Sequence, residues 1–186
     1  MLKEIRSCTI CEEHLPLGPK PIVSGNKNSK IILVSQAPGR LAHQSGVAWD
    51  DPSGKQLRKW MGVDDATFYN SNNFAVLPIG LCFPGKGVTG DLPPRPECAP
   101  LWHGSMWEEF ENVQLIILIG SYSQKYYLKD QSKQTLTDTV ASYNDYLPKF
   151  FPIPHPSPVN RFWLSKNTWF VEDIVPKLQR LIGSIL

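Results

Sequence analysis

Lys30-Ile31-Ile32-Leu33-Val34-Ser35, followed at once by Gln36-Ala37-Pro38-Gly39, decides the fold. An apolar run this short, closed by a Pro-Gly turn, predicts a strand buried on both faces that runs into a loop. The same signal recurs downstream. Asn73 to Ile79 reads as a second strand. Val113 to Gly120, with Leu115-Ile116-Ile117-Leu118-Ile119 at its centre, reads as a third. Lys149 to Ile153 reads as a short fourth, broken by Pro152 and Pro154. Helical patterns lie between them. Ser53 to Met61 puts Leu57, Trp60 and Met61 on one face, with Ser53 as N-cap and Gly62 as the stop. Ala99 to Phe110, Gly120 to Leu128 and Trp169 to Ile185 read as further helices, and the polar stretch 129–146 has helical potential. Alternating strands and helices predict an α/β fold: a three-layer α/β/α sandwich around a central, mainly parallel four-stranded sheet. The 186 residues, 41% hydrophobic, read as one domain over 1–186.

Composition narrows the function classes. No run of eighteen or more apolar residues is present, so no membrane partner is expected. Met1 to Ile10 is mixed and charged and lacks the apolar centre of a signal peptide, which predicts a cytoplasmic protein. A net charge of +2 neither demands nor excludes a nucleic acid, because a local basic groove can form on a near-neutral surface. Nothing in the sequence requires more than a monomer. No G-x-G-x-x-G follows the first strand, and no Walker A sequence is present, which argues against dinucleotide and P-loop chemistry.

In a parallel sheet, ligands gather at the loops beyond the carboxyl ends of the strands. Those loops here start at Gln36, near Cys82, at Gly120 and at His155, and they hold the unusual residues of the chain. Thirteen of the seventeen prolines cluster at 16–21, 84–100 and 148–158, predicting long ordered loops, 83–97 among them. Cys8 and Cys11 form a C-x-x-C pair, and Cys82 and Cys98 flank the Pro/Gly-rich loop. In a cytoplasmic chain this argues against disulfides. A close pair and a distant pair can together hold a metal, and four thiolates suit zinc or an iron–sulfur cluster equally on spacing. Four incidental thiols are the plainer alternative.

The ordered set of motifs resembles the uracil-DNA glycosylase superfamily. Ile31 to Gly39 is similar to its first motif, a hydrophobic strand entering a P-G loop, and His155-Pro156-Ser157-Pro158 to its H-P-S motif. The cysteine spacing resembles the iron–sulfur, thermophile-type members, which implies a 4Fe-4S cluster on Cys8, Cys11, Cys82 and Cys98, with structural zinc as the alternative. Ser45-Gly46-Val47-Ala48-Trp49, then Ser53-Gly54, is similar to the segment after the first motif, where the family stacks an aromatic ring on the extruded base; Trp49 is its counterpart. Asp51-Pro52-Ser53-Gly54 and the stretch Gly90 to Cys98 resemble a bacterial branch of uracil-DNA-glycosylase-like proteins.

The resemblance implies a DNA-repair glycosylase hydrolysing the N-glycosidic bond of uracil or another deaminated base, with damaged DNA as partner. Such an enzyme takes the base out of the stack, reads its edge and stabilises the departing anion. His155 is the expected donor to that anion. Gln36, Ala37, Pro38, Gly39, Trp49 and Ser157 are expected to line the base pocket, and Asn160 and Arg161 to meet DNA, with Phe162 and Trp163 beside them as a wedge. The chain departs from the family where Gln36 and Ala42 replace acids and where Pro78 or a neighbour replaces an amide. Asp51 is the first choice for positioning water, against a plain helix-capping role. His43 is a further candidate base. Asp91 is another acid in reach, unless it pairs with Arg95. Two other readings stay open: a catalytically silent nucleic-acid-binding module of the same fold, and an enzyme acting on free nucleosides or nucleotides.

Overall fold

The computed structural model describes residues 2–186. Four strands form one sheet: β1 (Ile31–Val34), β2 (Phe74–Val76), β3 (Leu115–Ile119) and β4 (Phe150–Ile153). Their order is β2-β1-β3-β4 and every pairing is parallel. Chain direction across the sheet reverses at β1, which places the ligand-binding crevice above its carboxyl end. β2 is shorter than the apolar run 73–79 suggested. Leu77 still donates its amide to Leu33 at 3.0 Å, but Pro78 has no N–H with which to continue the ladder.

The sheet is covered on both faces, which is why its strands are apolar throughout. Ile31 and Leu33 of β1 face a core shared with Leu57, Trp60, Phe170 and Leu178. Ile32 and Val34 face the other core, with Ile5, Met106 and Leu128. The first core receives α3 (Pro52–Met61) and α9 (Val175–Ile185), and the second receives α1 (Leu2–Arg6), α5 (Cys98–Glu109) and α6 (Ser121–Leu128). Every β1 side chain is fully buried, and the apolar area so removed from water is the main force holding the three layers together.

Several shorter elements depart from the sequence reading. A helix, α2 (Arg40–Ser45), follows the first loop directly, with Gly39 as its N-cap, and α4 (Asp65–Tyr69) follows α3, capped by Asp64. The stretch 129–146 holds only one α-helical segment, α7 (Leu136–Ala141), and α8 (Arg161–Lys166) forms just after His155. The N-cap of α3 lies two residues before the expected one: it is Asp51, not Ser53. Asp51 has extended backbone and accepts the Gly54 amide at 2.7 Å. Pro52 then occupies the first turn, where its missing N–H leaves nothing unpaired. Ahead of α9, Phe170–Ile174 is a wide π-type turn, because Pro176 has no amide to return to Glu172.

Candidate active site

The first loop is fastened before it reaches the pocket. Ile79 and Gly80 donate their amides to the carbonyls of Ser35 and Gln36, both at 2.8 Å, tying the end of β1 to the segment after β2. The Gln36 amide reaches 2.9 Å to the carbonyl of Leu92. Residues 85–92 form a small hairpin, with Leu92 N on Gly85 O at 2.9 Å, Gly87 N on Gly90 O at 2.7 Å, and Lys86 opposite Asp91. Gln36 thus holds a neighbouring loop in place.

These segments enclose a cavity of about 460 Å³. Of the residues expected from sequence, Gln36, Ala37, Pro38, Gly39, Trp49, Asp51, His155, Ser157 and Asn160 all line it. Lys86, Thr89, Gly90 and Asp91 of the hairpin line it too. Two expected residues are not in its wall. Arg161, the first residue of α8, is exposed with its guanidinium 5.0 Å from the Phe162 ring. His43 is buried in α2 beside Phe83, and Lys20 donates to its carbonyl at 2.6 Å. The cavity lining includes the preceding Ala42 but not His43, so the expected base at this position is not brought into the wall with the other site residues. Burial, then the Lys20 charge, holds the His43 pKa below its ordinary value.

His155 is positioned by its own loop. Ser157 donates its backbone N–H to His155 Nδ1 at 3.2 Å, and Asn160 donates its amide to the His155 carbonyl at 2.7 Å. With Nδ1 accepting, the neutral ring carries its proton on Nε2. Burial lowers the His155 pKa, while the charge of Asp51 raises it in part. The ring lies 5.7 Å from that of Trp49, tilted by 33°.

Trp49 is only 8% exposed and joins the core while also lining the cavity. Its φ of 61° is in the left-handed region, an uncommon place for a bulky residue. Two contacts hold it there. Its carbonyl packs on Gly54, where an added Cβ would come within 1.8 Å, and it accepts from Arg58 at 3.3 Å. Arg58 is itself paired with Asp65 at 2.6 Å. The neighbouring Asp51 uses Oδ1 for its cap, while its Oδ2 turns toward Gly39.

Behind the pocket, the Pro78 carbonyl accepts from Nε2 of buried His103, whose Nδ1 accepts from the Tyr127 hydroxyl. Burial drives the His103 pKa down to about 4. Sequence reading passed over this histidine, because only the meeting of α5, α6 and the segment after β2 gives it two partners.

Cys8, Cys11, Cys82 and Cys98 line one second, smaller cavity, together with Arg95 and Trp102. All four are free thiols. The Leu81 amide donates to Cys98 Sγ at 3.3 Å, and Cys11 lies 3.6 Å from Glu97, which pairs with Arg95 at 2.8 Å. Arg95 is therefore committed to Glu97 and not to Asp91. Burial pushes Cys82 up to about 11 and Cys98 up to about 12. Among the described residues, no group of three or more His, Cys, Asp and Glu forms a ready ligand set for a single metal ion.

The fold has counterparts among solved structures. A candidate uracil DNA glycosylase from Methanosarcina acetivorans, solved by NMR in solution, matches with a TM-score of 0.52 at 11% identity, over 86% of this chain and 94% of that one. The crystal structure of Pedobacter heparinus SMUG2 gives a TM-score of 0.44 at 10% identity, over 83% and 76%. At the level of sequence, the family model of the Uracil DNA glycosylase superfamily matches residues 22–179, a span that takes in both pocket loops, and the chain belongs to that superfamily.

Proposed function

We propose that the protein is a DNA glycosylase that hydrolyses the N-glycosidic bond of uracil or another deaminated base. The observation that carries this reading is the placement of His155, its Nδ1 accepting from the Ser157 amide, beside the Trp49 ring in a cavity also lined by Asp51. Trp49 supplies a flat apolar face for an extruded base. His155 Nε2–H donates to a base oxygen as negative charge develops on it, from a ring already held in place by its loop. Asp51 Oδ2 accepts a proton from the attacking water. Asp51 takes the place of the acids that Gln36 and Ala42 replace in and just after the first loop, which weakens the reading of a silent binding module.

The approach to DNA is supported by the rim. Val159 lines the cavity and is 73% exposed, and Phe162 is 67% exposed with Arg161 at its side. An apolar pair next to a cation suits insertion into a base step with a phosphate contact. No helix among the described residues is long and apolar enough to cross a membrane.

The four cysteines are proposed as the ligands of an iron–sulfur cluster. The donor set is all sulfur around one cavity, with a backbone amide already directed at Cys98. A single ion needs every sulfur about 2.3 Å from one point, whereas a cluster takes each thiolate at a separate iron. Its role is structural, joining the N-terminal segment to both ends of the 82–98 loop.

Anaerobically purified protein incubated with uracil-, hypoxanthine- and xanthine-containing oligonucleotides, single-stranded and duplex, tests the reading. Abasic sites from at least one substrate, lost in His155→Ala, are expected. DNA binding without base release from any of them would leave a binding module.

A further inference from the structure

Two carboxylates reach Gly39 from distant parts of the chain. Asp51 stands at the start of α3 and Asp91 on the 85–92 hairpin. A Cβ added to Gly39 would stand 3.6 Å from Asp91 Oδ2 and 3.9 Å from Asp51 Oδ2. Glycine leaves that space open to the cavity, whose lining includes all three residues. Asp51 has one oxygen committed to the Gly54 amide, so it offers the space a single acceptor. One acceptor fixes only one of a water's two hydrogens. A second acceptor fixes the other and so fixes the direction of the reactive lone pair.

We infer that Asp51 and Asp91 together hold the attacking water at Gly39, which makes Asp91, delivered by the hairpin, a second catalytic carboxylate of base release. The inference rests on the glycosylase reading. In the step, the water oxygen forms a bond to the sugar C1′ as the glycosidic C–N bond breaks. The electron pair of that bond leaves on the base. The water's proton passes to the carboxylate pair, and solvent later protonates the base anion.

The surroundings of Asp91 suit this role. Lys86 lies opposite it in the hairpin, Asp51 faces it from α3, and His155 of the β4 loop senses Asp51 in turn; Gln36 on the first loop is neutral. Burial and then the Asp51 charge raise the Asp91 pKa, and the Lys86 charge opposes them. Two carboxylates at one site tend to retain a proton between them, and a nearby ammonium lets both ionise. Asp91 stands on the open side of the cavity, so DNA settling over the hairpin removes water from it.

Single-turnover base release across pH, measured on wild type, Asp91→Asn and Lys86→Met, tests the inference alongside carboxyl NMR titration of Asp51 and Asp91. Asp91→Asn is expected to slow release about 100-fold with oligonucleotide affinity unchanged. Lys86→Met is expected to shift the acid limb to higher pH, because a pair deprived of the ammonium protonates sooner. Wild-type rates in Asp91→Asn would overturn the inference and leave the glycosylase reading intact. A slow Asp91→Asn in which the Asp51 titration is unmoved would also overturn it, since the carboxylates would not share a site. No release by wild type from any substrate would overturn both readings.

Discussion

The backbone amide of Ser157 points at Nδ1 of His155, 3.2 Å away, and so decides which ring nitrogen keeps the proton. A residue two positions along the same loop selects the tautomer, and the tautomer sets what the ring can donate. His155→Ala should therefore reduce base release by 100-fold or more, in the range found when one anion-stabilising donor is removed. His155→Asn, which retains an N–H, should recover part of that loss. Single-turnover kinetics of the two variants and wild type check this, and a wild-type rate in His155→Ala would show that the ring donates nothing.

The pH dependence of stability should bear the mark of His103. Its folded pKa is about 4, against about 6.5 for an unperturbed histidine. Below pH 6.5 the unfolded chain takes up a proton that the folded chain refuses, so stability falls with falling pH and the fall levels off below pH 4. The full difference is about 3 kcal/mol. His43 and His155, lowered as well, add with the same sign. Denaturant unfolding between pH 7 and 4 should show a shallower slope in His103→Gln than in wild type.

Gly54→Ala should be among the most damaging single changes. Its methyl would come within 1.8 Å of the Trp49 carbonyl, so either the turn at Trp49 or the start of α3 must move. A loss of roughly 3 kcal/mol or more is expected. Gly39→Ala makes the opposite case. Its methyl meets only two carboxylate oxygens at ordinary distances and φ is −77°, so the fold should lose no more than about 1 kcal/mol through the weaker N-cap. The methyl does fill the space assigned to the water, and base release should fall at least tenfold. Melting curves and turnover, measured together, separate the two effects.

Metal analysis of anaerobically prepared protein should find about four iron and four sulfide per chain, against one zinc for the alternative. Cys98→Ser should lower both and reduce the melting temperature. The same substitution in metal-stripped protein should change it much less.

The sheet was legible because its strands are buried on both faces, and Ile31-Ile32-Leu33-Val34 has no polar position to confuse the period. His155 and Trp49 were legible through their flanking motifs. Other features depend on distance in space. His43 lies only four residues beyond Gly39, yet it packs beside Phe83 and is not in the cavity lining, and no local pattern distinguishes those two placements. Asp91 was visible as an acid in a loop, but its approach to Asp51 depends on the hairpin and on the bond from Gln36 to Leu92. Arg95 was an equally good partner by spacing, until Glu97, two residues away, took it.

Cys82 and Cys98 converge on one small cavity, so a group bound by both would make the chain between them a ring closed at its base. Bringing together the ends of a free segment as long as 83–97 costs about 2 kcal/mol in chain entropy, beyond a fixed initiation cost. A cluster held by the four cysteines at this junction would meet that cost once, during folding, and every later encounter with a ligand would find the ring already closed. Lys86 and Asp91 ride near one side of it. Opening the junction would lengthen their tether and widen the volume they explore, so occupancy of a site remote from the pocket would set how sharply two pocket charges are placed.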